Sequence, residues 1–125
     1  MNNKSIPIIL SMGFLFLFMS ATTSSAANVM GPLSFRVTIT EQDVTYEYEF
    51  DNPDYYEYEE GNHVERGAEA KQKVTRLVSL INLEEDAAID AMVRELKQIH
   101  PNVSKVDIRY MNEESKLYTW VWNNE

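Results

Sequence analysis

Residues 33–51 read LSFRVTITEQDVTYEYEFD, and their period decides the first half of the fold. Leu33, Phe35, Val37 and Ile39 alternate with Ser34, Arg36, Thr38 and Thr40, the period of a half-buried strand. Glu41-Gln42-Asp43 reads as a turn. Val44, Tyr46, Tyr48 and Phe50 then alternate with Thr45, Glu47, Glu49 and Asp51. The two runs predict a hairpin with one apolar and one polar face. Asn52-Pro53-Asp54 predicts the next turn, because Pro fixes its φ angle and Asn and Asp side chains bond the local backbone. A third, weaker strand is expected over Tyr55 to Glu60, with Tyr56 and Tyr58 on one face and Gly61-Asn62 as its end.

Downstream the period changes. Ala70, Val74, Leu77, Val78 and Ile81 fall on one face of a helix from about Ala68 to Ile81. Glu69 sits in its first turn, where the helix dipole favours an acid. After a connector at Asn82-Leu83, a second helix is expected from about Glu84 to Ile99. Its apolar face is Ala88, Ile89, Met92, Val93, Leu96 and Ile99, its first turn holds Glu84, Glu85 and Asp86, and Pro101 stops it. Val106, Ile108 and Tyr110 alternate with Asp107 and Arg109, a turn spans Asn112 to Ser115, and Leu117 to Trp122 form the last strand. Both faces of that strand are apolar, which predicts a central or covered position. The order β-β-β-α-α-β-β predicts an α+β fold. A mostly antiparallel sheet of about five strands carries two helices packed on one face.

The first residues read as an export signal. Lys4 precedes an uncharged apolar run over residues 6–19, shorter than the roughly 20 residues that span a bilayer. A small polar stretch ends at Ala27, where cleavage is expected. Residues 28–125 are then one secreted or extracytoplasmic domain, membrane-anchored only if the leader stays uncleaved. They contain no second apolar run long enough for a stable membrane span. There is no cysteine, which removes disulfide chemistry, thiolate metal sites and lipidation of a cysteine. The chain carries 11 basic and 20 acidic residues, a formal net charge of −9. Loss of Lys4 makes it one unit more negative. Such a surface repels nucleic acid and anionic lipid, and partners chosen by charge would be cationic. The charge is uneven: residues 41–69 hold eleven acidic side chains and one basic, Arg66.

With these elements placed, the chain resembles the YusW-like family of small exported bacterial proteins. The resemblance covers about Ser34 to Trp122. It rests on Tyr46-Glu47-Tyr48-Glu49, on Gly67-Ala68-Glu69-Ala70 leading to Leu80-Ile81-Asn82-Leu83, on Glu84-Glu85-Asp86, and on a closing hairpin that ends in aromatics. Many relatives look like lipoproteins, and this chain departs from them in lacking the cysteine. The resemblance implies an extracytoplasmic α+β domain and supplies no catalytic residues or cofactor.

Three groups of residues could carry chemistry. Asp51, Asp54, Glu57 and Glu59 offer the hard oxygen ligands that calcium prefers. Pro53 and Tyr56 interrupt any helix-loop-helix calcium spacing, and a solvated acidic face accounts for the same residues. Glu47 and Glu49, with Tyr118, Trp120 and Trp122, could present an interaction surface. Against that, the aromatics are also the available cover for a helix pair. His63 and His100 stand alone on their elements, so zinc spacing is absent. Nothing marks Ser79, Ser104 or Ser115 as activated, so a hydrolase is the weakest reading. These features lead to the expectation of a non-catalytic exported domain without a cofactor, binding a protein or cell-envelope component. A calcium-binding module is the alternative.

Overall fold

The computed structural model describes residues 32–125. The expected leader and its cleavage point at Ala27 lie outside the described residues.

Six strands form one antiparallel sheet: β1 (Ser34–Glu41), β2 (Val44–Asp51), β3 (Tyr55–Glu60), β4 (His63–Arg66), β5 (Val103–Met111) and β6 (Leu117–Asn123). Their order across the sheet is β4-β3-β2-β1-β5-β6. Two helices, α1 (Ala68–Ile81) and α2 (Ile89–Leu96), lie between β4 and β5 in the chain. The α+β class and the two-helix layer are as the periodicity indicates. The sixth strand is β4: Gly61-Asn62 is a reversal into a further strand, with Gly61 at φ +57°. A four-residue strand shows too little alternation to be read against the adjacent turn.

The β1–β2 turn holds Gln42 and Asp43, both at positive φ, the conformation that matches the twist of a two-residue hairpin. Register then follows from alternation. Phe35, Val37 and Ile39 face Phe50, Tyr48 and Tyr46 on β2, and Tyr110, Ile108 and Val106 on β5. All of these lie on one side of the sheet, and α1 and α2 cover that side. Ala70, Val74, Leu77 and Ile81 of α1 and Met92, Val93 and Leu96 of α2 are buried against it. Each fully buried aliphatic side chain stabilises by about 1.5–3 kcal/mol relative to exposure.

Helix α1 matches its sequence span. Gly67 before it has φ +75° and ψ −143°, and Asn82 ends it in the left-handed conformation with its N–H on the Val78 carbonyl. Helix α2 corrects the expected span of 84–99. Residues 84–88 form a turn and an extended entry, because groups elsewhere in the fold hold this connector. Trp120 Nε1 donates to the Ala87 carbonyl at 2.8 Å, and Asn112 Nδ2 donates to Glu85 at 2.8 Å. Ala88 offers no side-chain cap, so helix begins only at Ile89. At the other end Gln98 and Ile99 make tight three-residue bonds to Glu95 and Leu96. That tightening turns Ile99 outward, 44 % exposed, and His100 inward.

The last strand is also corrected. β6 is an edge strand, and its outward Leu117 and Val121 are 56 % and 52 % exposed. Apolar residues on two faces do not require two covered faces, since burial of hydrophobic residues is a one-way rule. Among the described residues no helix is long and apolar enough to cross a membrane.

Candidate functional site

Because α1 and α2 both cover one side, no helix among the described residues covers the other face of the sheet. Alternation assigns its side chains. On β2 and β3 they include Glu47, Glu49, Asp51, Glu57 and Glu59, and on β1, β4 and β5 Arg36, Arg66, Lys105, Asp107 and Arg109. Glu47 pairs directly with Glu59 across β2–β3, and Glu49 pairs with Glu57. Like charges directly opposite destabilise a sheet, so each pair needs a counter-charge or a proton.

Arginines supply part of it. Arg36 reaches Glu47 at 3.2 Å and Glu49 at 2.9 Å. Arg66 Nε lies 2.7 Å from Glu57 Oε2, to which the Tyr55 hydroxyl also donates. Glu57 is only 8 % exposed. The Tyr55 hydroxyl first, then the Arg66 guanidinium, hold its carboxyl below the usual carboxylate range. Glu59 moves the other way, raised by the hydrogen bond it shares with Glu57 and then by burial. Glu47 is raised by burial, with Arg36 opposing and Glu49 adding to the rise. The face therefore carries more acid than its cations neutralise, concentrated at Glu47 and Glu59.

The sequence candidates separate in space. Glu47, Glu49, Glu57 and Glu59 come together. Asp51 stands exposed at the end of β2, and Asp54 sits in the following turn, 3.6 Å from Lys71 Nζ. Among the described residues no three carboxylate or histidine groups take a metal-holding arrangement. Tyr118, Trp120 and Trp122 share the helix side of the sheet with the core, opposite to Glu47 and Glu49, so these five residues do not form one surface. Lys97 Nζ lies 5.4 Å from the Trp122 ring centroid. Arg36 and Arg66 were not evident as site residues in the sequence, because each meets its acid across strands rather than along one.

Among the described residues neither histidine bonds to a serine. His63 is exposed beside Glu65 at 3.1 Å. His100 is 5 % exposed, with Nε2 at 3.0 Å from the Tyr48 hydroxyl and Nδ1 at 3.3 Å from Glu41. An imidazole N–H toward Glu41 leaves Nε2 to accept from Tyr48. Glu41 also accepts the Asn102 backbone N–H at 2.8 Å. This trio lines a cavity of about 320 Å³ together with Tyr46, Tyr58 and Leu77. Burial pushes the Tyr48 phenol up to about 12, so it stays protonated and works as a donor. Ser104 instead donates to the Thr40 carbonyl at 3.2 Å. The trio ties the α2–β5 junction to β1 and β2.

Comparison with family models, with curated proteins and with solved structures finds no match to this chain.

Proposed function

We propose that this protein is an exported, non-catalytic interaction module that docks a basic face of a protein or cell-envelope component on its open sheet face. The observation that carries the reading is the opposition of Glu47 to Glu59 and of Glu49 to Glu57 on a face that neither α1 nor α2 covers. A partner's lysine or arginine placed between the rows would neutralise carboxylates that the fold leaves short of cations. The apolar run after Lys4 and the resemblance to YusW-like exported proteins support the extracytoplasmic placement.

Titration of the isotope-labelled protein with an octalysine peptide tests the docking. Backbone signals of β2 and β3 should shift, and the shifts should shrink as salt rises. Replacing Glu47, Glu49, Glu57 and Glu59 with Gln should abolish them. Peptide binding that leaves β2 and β3 unmoved, or that survives the four substitutions, sinks the proposal. A parallel melt with calcium chloride separates the alternative, because a cation bound only to the native state must raise the melting temperature.

A further inference from the structure

The sheet has two edges, β4 and β6, and they are built differently. β4 is only four residues long, His63–Arg66. Lys73 of α1 holds its Glu65 at 2.7 Å, and its Arg66 reaches back to Glu57 at the same distance. A short edge that carries charged side chains resists pairing with another chain. β6 has neither guard. Its seven residues, Leu117–Asn123, include no charged side chain, proline or glycine. Its register with β5 runs without a shift from Met111↔Leu117 to Lys105↔Asn123, so no bulge twists the strand away.

The phase of the β5–β6 ladder assigns the backbone groups. The Asn124 N–H donates to the Ser104 carbonyl at 2.9 Å, and the Asn112 N–H donates to the Lys116 carbonyl at 3.0 Å. Hydrogen-bonded pairs alternate with non-bonded ones along an antiparallel ladder, so Tyr118, Trp120 and Trp122 bond β5. Leu117, Thr119, Val121 and Asn123 turn their N–H and C=O groups the other way. Among the described residues no strand stands on that side. The side chains repeat the division. Leu117, Thr119 and Val121 are exposed, and Tyr118, Trp120 and Trp122 are only half-buried against the core. β6 thus offers a backbone template flanked by partly uncovered apolar side chains on both faces.

We propose that β6 pairs antiparallel with β6 of a second copy of this chain, about a two-fold axis at Trp120. The strand is complementary to itself. With Trp120 opposite the partner's Trp120, Thr119 meets the partner's Val121 and Leu117 meets the partner's Asn123. Every outward-facing residue then stands opposite another, where the two exchange both their hydrogen bonds. A slip of one residue would set outward groups against groups already bonded to β5, and a slip of two shortens the overlap. Charge agrees with this register. Lys97 of α2 lies 5.4 Å from the Trp122 ring centroid, and the Tyr118 hydroxyl bonds Glu85 at 3.1 Å. Trp122 faces the partner's Tyr118, so each Lys97 is brought toward the partner's Glu85. The interface is isologous and closed, because the guarded β4 edge does not extend the sheet further. It leaves the open face of β2 and β3 unoccupied and does not rest on the docking proposed there.

Sedimentation velocity of the purified protein from about 10 μM to 1 mM should show a monomer–dimer equilibrium. Amide exchange followed by NMR should slow with concentration at Leu117, Thr119, Val121 and Asn123, and much less at Tyr118, Trp120 and Trp122. Val121→Lys and Thr119→Glu, each at an exposed position, should weaken the dimer about tenfold by setting like charges diagonally across the axis. Mixing the two variants should restore it, because the new lysine of one then stands opposite the new glutamate of the other. Replacing Glu47, Glu49, Glu57 and Glu59 with Gln should leave the dimer unchanged. A protein still monomeric at about 1 mM overturns the proposal. So do assemblies larger than a dimer, or a mixture of variants that dimerises no better than either alone. Protection of the four outward amides in the dilute monomer also overturns it, since another segment of the chain would then cover the edge. Loss of the dimer in the Gln variant would move the contact to the open face and overturn it too.

Discussion

Tyr48 and His100, 52 positions apart in the chain, meet with the phenol oxygen 3.0 Å from Nε2. Through this contact and the bond from His100 to Glu41, the loop after α2 is joined to the first hairpin. The His100 ring also packs 4.4 Å from the Tyr46 ring centroid, so this histidine, and not Ile99, takes the buried position after α2.

Removing the polar groups of this joint one at a time measures it. His100→Ala leaves the Tyr48 hydroxyl without its acceptor and Glu41 without one donor. It should cost about 2–3 kcal/mol in denaturant unfolding. Tyr48→Phe should cost about 1 kcal/mol, and the double variant should show a coupling of similar size. Additive losses would show that the contact contributes nothing of its own.

The same phenol predicts loss of stability in alkali. Folded Tyr48 titrates at about 12, against 10.0 for an ordinary tyrosine. Between these values the unfolded chain releases a proton that the folded chain retains, so stability falls as pH rises through that window. Tyr48→Phe should flatten this decline in urea melts taken across the window. An unchanged decline would assign it to other tyrosines.

On the open face the sign reverses between neighbours. Glu59 is raised in the fold, so its ionisation opposes folding at neutral pH and its protonation relieves that cost as pH falls. Glu59→Gln should therefore stabilise by roughly 0.2–1 kcal/mol at pH 7, with a diminishing effect in acid. Glu57 is lowered, so it contributes stability above the ordinary carboxylate pKa that is lost as pH drops through its folded value. Tyr55→Phe should shift the acid unfolding midpoint of the protein upward. Melting temperatures across a pH series check both.

Trp120 gives a structural prediction at the connector. Trp120→Phe keeps a ring on the core but removes the donor to Ala87. Destabilisation of about 1–2 kcal/mol is expected, with faster amide exchange over residues 84–88. Unchanged exchange there would show that the indole does not hold the connector out of helix.

Gly67 offers a control for backbone conformation. A Cβ at this position meets nothing within 4 Å, yet its φ is +75°. Gly67→Ala should therefore cost about 1–3 kcal/mol through the backbone alone, measured by thermal unfolding.

The sequence by itself determined the α+β class, the spans of the first three strands and α1, and the acid-bearing polar face of the first hairpin. These are local matters: period-two and period-3.6 patterns state which side of an element meets the core before any partner is known. Tertiary structure decided the rest. It cut α2 back to Ile89–Leu96 by engaging the connector from β6 and the β5–β6 turn. It set β6 at an edge, and it put Tyr118, Trp120 and Trp122 on the side away from Glu47 and Glu49. It also brought Arg36 and Arg66 to their glutamates. Pairing across strands and across connectors joins residues through space, and no spacing along a single chain encodes which of many equivalent charges will stand opposite each other.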